Sequence, residues 1–146
     1  MEFVSQLLAA KGPDIWSVTP DSTVLDALQL MADRKVGALL VLENDGLVGV
    51  FSERDYARKV ILMGKSSKDT PVSDIMSTKI VCVAPDQSTK ECMSLMTDKR
   101  IRHLPVTEGD RLVGIISIGD VVKALIADRE EVIEQLEQYI NGTLVG

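Results

Sequence analysis

The sequence predicts a mixed α/β fold made of two pseudo-symmetric β-α-β-β-α repeats packed as one module. Three observations lead there: the chain matches itself at a fixed offset, each copy alternates between strand and helix periodicity, and turn and capping residues recur at the same places. Slid against itself by 65 positions without a gap, Val18-Thr19-Pro20-Asp21 falls on Val83-Ala84-Pro85-Asp86. The match continues through Leu30-Met31 on Leu95-Met96, Leu39 and Val41 on Leu104 and Val106, and Leu47-Val48-Gly49 on Leu112-Val113-Gly114. It ends with Ser52 and Asp55 on Ser117 and Asp120, and a match of that length in one register marks a duplication.

The elements follow in order. A strand is expected over 15–18 and again over 80–83, each closed by a Pro-Asp turn signal. The next helix starts at Thr23 with Asp26 in one copy and Ser88 with Glu91 in the other, the [ST]-x-x-[DE] capping spacing, and Val24, Leu28 and Met31 give it a core face. The apolar runs 38–42 and 47–51 flank Glu43-Asn44-Asp45-Gly46, where Gly46 is expected to supply the positive φ of a tight hairpin; the second copy has Glu108-Gly109-Asp110-Arg111. Pro105 interrupts a strand pattern and removes a ladder donor, which points to a sheet edge or a cleft wall.

The final helix is short after Ser52 and long after Ser117, where Val121, Val122, Leu125, Ile126, Val132, Ile133, Leu136 and Ile140 form an apolar stripe that is expected to reach another subunit in part. Loop composition over 64–74 marks the join between copies. The expected segmentation is an N-terminal helix and lead-in (1–12), a first repeat (13–63), a linker (64–77), a second repeat (78–126) and a helical extension (127–146). A copy of about fifty ordered residues is small for a core of its own, so the two are expected to pack together.

Composition narrows the function. With 146 residues, 45% hydrophobic and 26% charged, the chain can bury one core. No apolar run approaches the roughly 20 residues that span a bilayer, and Met1-Glu2-Phe3-Val4 does not open a leader, so a cytoplasmic protein without membrane contact is expected. The net charge of -6 opposes nucleic-acid binding, which draws on clustered Lys and Arg. Cys82, Cys92 and the single His103 cannot complete a tetrahedral zinc site, so no metal is expected, and both thiols are read as reduced and inert. A nucleophilic triad would depend on His103 alone, so an enzyme is not expected.

The chemistry-bearing segments are Gly49-Val50-Phe51-Ser52-Glu53-Arg54-Asp55 and Gly114-Ile115-Ile116-Ser117-Ile118-Gly119-Asp120. Each places a serine at a strand end and an aspartate at a helix start, where free backbone N–H groups suit a phosphate and an acceptor-only carboxylate suits two ribose hydroxyls. The same spacing is also an ordinary helix cap, which would close those N–H groups by itself. Recurrence at symmetry-related positions, and Gly49 and Gly114, which would admit a flat ring or a neighbouring strand, favour the ligand reading. Where the first copy has Gly37-Ala38, the second has Arg102-His103. With Lys11, Lys79 and Arg54 these could meet phosphates; the alternatives are an exposed strand-end charge for Arg102 and a structural imidazole for His103.

These paired motifs, with Arg102-His103-Leu104-Pro105-Val106 and the lead-in Val72-Ser73-Asp74-Ile75-Met76, resemble the cystathionine β-synthase (CBS) domain pair, or Bateman module, over about residues 11–126. The likeness is to the stand-alone bacterial two-repeat type. It implies a non-catalytic regulatory module whose clefts between the repeats bind an adenosine nucleotide, AMP first, with NAD(H), ADP, ATP or S-adenosylmethionine as other members of the class. It implies that Asp55 and Asp120 take the ribose hydroxyls, with Ser52 and Ser117 near the phosphate. The Asp120 cleft would add Lys11, Ile15, Val36, Gly37, Ala38, Arg102, His103, Ile115 and Gly119; the Asp55 cleft would add Arg54, Thr78, Ile80, Ile101 and Arg102. Glu53 would repel a phosphate where Ile118-Gly119 would not, so Asp120 marks the preferred site. A homodimer with a regulated partner protein is the implied assembly. Two other readings are a scaffold acting through its C-terminal helix without ligand, and an enzyme using His103 or a cleft aspartate as base.

Overall fold

In a computed structural model, residues 1–145 are described, with side chains to Asn141; Gly146, the end of the expected extension, lies outside the described residues. The chain divides into two compact units, Asp14–Val81 and Met1–Pro13 with the chain from Cys82 onward. Both are mixed helix and strand, as the repeat predicts.

In the Asp14–Val81 unit, β1 (Ser17–Val18) runs parallel to β2 (Ala38–Glu43), which pairs antiparallel with β3 (Gly46–Ser52). Helix α2 (Val24–Arg34) lies between β1 and β2 in sequence, started by Thr23, whose hydroxyl accepts the Asp26 N–H at 3.1 Å. Val24, Ala27 and Met31 of α2 join Leu39, Val41 and Phe51 of the sheet in one core, as helical and strand periodicity require. After β3 the chain turns into α3 (Glu53–Tyr56) and widens into a π-helical turn over Ala57–Ile61, with Val60 buried. The stretch 64–77, expected as linker, carries Val72 and Ile75 into this same core through a 3-10 turn at Val72–Asp74.

The other unit begins with α1 (Val4–Lys11), where Gln6 Oε1 accepts the N–H groups of Glu2 and Phe3 at 2.8 and 2.9 Å in place of a capping hydroxyl. It continues with α4 (Thr89–Lys99), capped by Ser88 on the Glu91 N–H at 3.0 Å, then β4 (His103–Glu108), β5 (Arg111–Ser117) and α5 (Ile118–Val145). Strands β4 and β5 pair antiparallel with an irregularity at Val106/Thr107, matching the one at Val41/Leu42 in β2.

Two expectations need correction. The first strands are shorter than 15–18 and 80–83: β1 has two residues, and the second copy keeps only a parallel bridge between Val83 and Val106. Pro105 explains the difference. In β2 the Leu40 N–H donates to Trp16 at 3.2 Å, but its counterpart Pro105 has no N–H; only Val83 to Pro105 (3.0 Å) and Thr107 to Val83 (2.9 Å) remain. Pro105 therefore lies in an outer strand of the two-stranded β4–β5 sheet, as a missing donor suggests, beside the single bridge to Val83. In the first hairpin, positive φ belongs to Asn44 (51°) and Asp45 (63°), not Gly46, as a two-residue type I′ turn demands; in the second, Gly109 carries it at 63°.

Candidate functional site

Each repeat brings its Ser and Asp together at the start of its last helix. The Ser52 hydroxyl accepts the Asp55 N–H at 3.2 Å while Asp55 Oδ2 accepts the Ser52 N–H at 3.0 Å. Ser117 and Asp120 repeat the exchange at 3.2 and 2.8 Å. The capping arrangement anticipated from spacing is thus realised in both copies, and it fixes both carboxylates against the helix start. From the residues just before β2 and β4, equivalent carbonyls complete the junction: Gly37 accepts from the Glu53 N–H at 3.0 Å and Arg102 from the Ile118 N–H at 2.8 Å.

The two carboxylates differ in what else holds them. Asp55 Oδ2 also accepts the Ser52 hydroxyl at 3.0 Å, and Oδ1 takes the Ser77 hydroxyl at 3.1 Å and Lys59 Nζ at 3.2 Å. Lys59 lies one helical turn after Asp55 and also reaches the Ile75 carbonyl at 3.1 Å. Asp120 Oδ2 accepts Lys11 Nζ at 2.7 Å, and Lys11 also donates to the Ile115 carbonyl at 2.8 Å. The Asp120 side chain is 22% exposed against 11% for Asp55, so the second carboxylate is the more accessible. Burial alone would raise the Asp120 carboxyl; the Lys11 ammonium and the Ser117 N–H outweigh it and hold the group below the usual aspartate range.

Lysines on different elements serve the two carboxylates. At the repeat offset, Lys59 falls on Ala124 and Lys11 falls on Met76, so neither cation has a counterpart in the other copy. Ser77, which falls on Gly12, is likewise unmatched. Ser77 and Lys59 were not among the expected site residues, because a duplication signal finds only what both copies share.

Gly49 and Gly114 admit a neighbour, as expected, but it is the protein's own chain. A Cβ on Gly49 would stand 2.5 Å from Met76 Sδ, and one on Gly114 would stand 2.7 Å from Leu8 Cδ2. Met76 belongs to the segment after the first repeat and Leu8 to α1, so each glycine seats a segment on the back of its β3 or β5 strand.

The remaining expected residues are distributed as follows. Ile15, Val36 and Gly37 are half-buried and Ala38 buried in the Asp14–Val81 unit, where Arg54 and Thr78 are exposed and Ile80 is half-buried. A cavity of about 420 Å³ in that unit is lined by Leu28, Met31, Ala32, Lys35, Val36, Gly37 and Glu53. In the other unit Arg102 and Gly119 are exposed, and Ile101, His103 and Ile115 are half-buried. Lys79 is exposed. Cys92 is buried within its unit, and burial pushes both its thiol and that of Cys82 up, away from reactive thiolate.

Two α/β repeats, each with a capped aspartate opening its last helix, define a duplicated domain of the CBS type. The CBS domain family model matches residues 8–61 and 72–127, and the chain belongs to that family. It is 44% identical over 139 residues to the mitochondrial CBS domain-containing protein CBSX3 of Arabidopsis thaliana, covering 92% of this chain and 67% of that one. A solved protein with CBS domains from Burkholderia ambifaria MC40-6, named for signal transduction, is 53% identical with a TM-score of 0.84, over 86% of this chain and 95% of that one. A CBS domain pair solved with 5′-methylthioadenosine and S-adenosyl-L-methionine shares the fold at 18% identity and a TM-score of 0.77, over 86% of this chain and 97% of that one. Among the described residues no helix is long and apolar enough to cross a membrane, and no three His, Cys, Asp or Glu side chains lie together as a metal site would need.

Proposed function

We propose that the protein is a non-catalytic cytoplasmic regulatory module that binds an adenosine nucleotide, AMP first, with NAD(H), ADP and ATP as the other members of the class, at Asp120. The observation that carries this is the Asp120 carboxylate: fixed by the Ser117 N–H, held ionised by Lys11, and still partly exposed at the start of a long helix. An ionised carboxylate with accessible oxygen accepts from two adjacent ribose hydroxyls, and the helix start beside it favours phosphate. Lys11 is the switchable element. A ribose hydroxyl that takes up Asp120 frees the ammonium to follow the phosphate, and α1, which carries Lys11, follows with it. Binding is thereby coupled to the position of α1, which a homodimer contact or a regulated protein reads.

Asp55 plays the structural counterpart. Four donors already meet its two oxygens, and Glu53 beside it repels phosphate. The ligand class draws support from the adenosine compounds held by the same fold in a relative. The test is isothermal titration of AMP and the other nucleotides into the wild-type chain, Asp120→Ala and Asp55→Ala. Loss of one or two charge-assisted bonds costs at least about 1.5 kcal/mol, so Asp120→Ala is expected to weaken binding at least about tenfold. Asp55→Ala is expected to bind nearly as the wild type does. A tight complex with Asp120→Ala would refute the assignment.

A further inference from the structure

Beyond Asp128, α5 changes character. Its first turns are held in the unit by buried Val121 and Ala124, whereas all residues from Arg129 to Asn141 are exposed. Yet this distal part carries Val132, Ile133, Leu136 and Ile140 at helical spacing, with Leu136 57% exposed. A helix of this length gains little stability in water without a packed face, and a contiguous apolar strip at the surface marks an interaction site.

Charge says what fits there. At 3.6 residues per turn, Glu130 and Glu137 border one side of the strip, Asp128 and Gln135 border the other, and Glu131 and Glu134 lie behind. From Glu130 to Asn141 there are four glutamates and no Lys, Arg or His. An antiparallel second copy would set Glu130 and Glu137 against themselves; a parallel copy would set them against Asp128 and Gln135. Over 130–141 neither pairing supplies an opposite charge; the cations nearby, Arg129 and the N-terminal ammonium paired with Asp128, stand at the near end of the strip.

We propose that residues 130–141 form a docking ridge for a different protein, one offering an amphipathic helix whose apolar face is bordered by Lys or Arg. The strip supplies the contact area and the acidic borders select the partner and its register. The ridge is separate from Asp120, so this inference stands or falls independently of nucleotide binding.

Two designed helical peptides of equal length, with one leucine face and borders of Lys in one and Glu in the other, test it against the full chain by fluorescence anisotropy. The Lys-bordered peptide is expected to bind at least about tenfold more tightly than the Glu-bordered one. Leu136→Asp, at an exposed site that leaves the fold intact, is expected to weaken that binding about tenfold although it adds negative charge. Glu130→Lys with Glu137→Lys is expected to reverse the preference between peptides. Binding that survives Leu136→Asp would reduce the effect to bulk charge and overturn the proposal, as would failure of both peptides. Sedimentation of the wild type and Leu136→Asp closes the remaining case: an oligomer that dissociates in the variant would put a second copy on the ridge and overturn it too.

Discussion

Lys11 and Asp120 tie the stability of their unit to pH with a definite sign. The Asp120 carboxyl is held below the ordinary aspartate value of 3.8, so the folded state favours its ionised form. That contribution is fully present above the unfolded value and is lost as pH falls through the lower folded value. Asp120→Asn is therefore expected to lower stability by about 1 kcal/mol at neutral pH, the scale of a lost charged cap, and to flatten the fall in stability below about pH 4. Thermal unfolding midpoints of both proteins across that range check this; parallel curves would mean Lys11 does not favour the ionised form. At this scale the sequence was legible where the copies agree and silent where they do not. Ser52, Asp55, Ser117 and Asp120 announce themselves by recurring, and their capping geometry follows from spacing. Ser77 and Lys59 do not recur, and Lys11 reaches Asp120 from α1, far away in sequence, so spacing could not say which oxygen each would meet.

At the scale of elements, the copies end α2 and α4 in the same uncommon way. Lys35 and Arg100 follow the last helical residues with φ of 56° and 55°, and the N–H groups of Val36 and Ile101 return to Met31 and Met96 at 3.1 Å. Glycine is the usual occupant of this left-handed position because a side chain there costs about 1–2 kcal/mol. Lys35→Gly is expected to stabilise the chain by about 0.5–1 kcal/mol, the relief of that strain less the added freedom of the unfolded chain. Denaturant unfolding measures it, and a loss of stability would mean that the Lys35 side chain contributes more than its backbone costs. Neither helix stop carries a sequence signal, since both lack the expected glycine. The hairpins were legible by composition, yet the positive φ fell on Asn44 and Asp45 because a two-residue turn takes its strain at the central pair. Pro105 was legible: an edge position satisfies a missing donor easily, and β4 is an outer strand on which only the bridge to Val83 continues.

For the whole molecule, duplication explains the fold and leaves its closure unstated. The sequence places the segments 1–12 and 64–77 outside the repeats, whereas the structure makes each the last layer of a unit. Leu8 of α1 lies against Gly114, and Met76 lies against Gly49 with Val72 and Ile75 in the core beside it. These segments lie outside the self-match of the repeats, although α1 buries Val4 and Leu7 and the other segment buries Val72 and Ile75. They also connect the site to the rest of the chain, since α1 carries Lys11 and Ser77 follows Met76. A ligand that exchanges with Lys11 on Asp120 would therefore act on a segment whose Leu8, one turn before Lys11, packs on Gly114 of β5.

The most direct test is thermal unfolding of the ligand-free chain against AMP, ADP, ATP, NAD, NADH and S-adenosylmethionine, because a ligand bound only by the folded state raises the midpoint with the logarithm of its concentration. At least one adenosine nucleotide is expected to do so in the wild type, and to need at least about tenfold more ligand for the same shift in Asp120→Ala. A flat response across the panel would contradict nucleotide sensing and leave the distal helix as the functional surface.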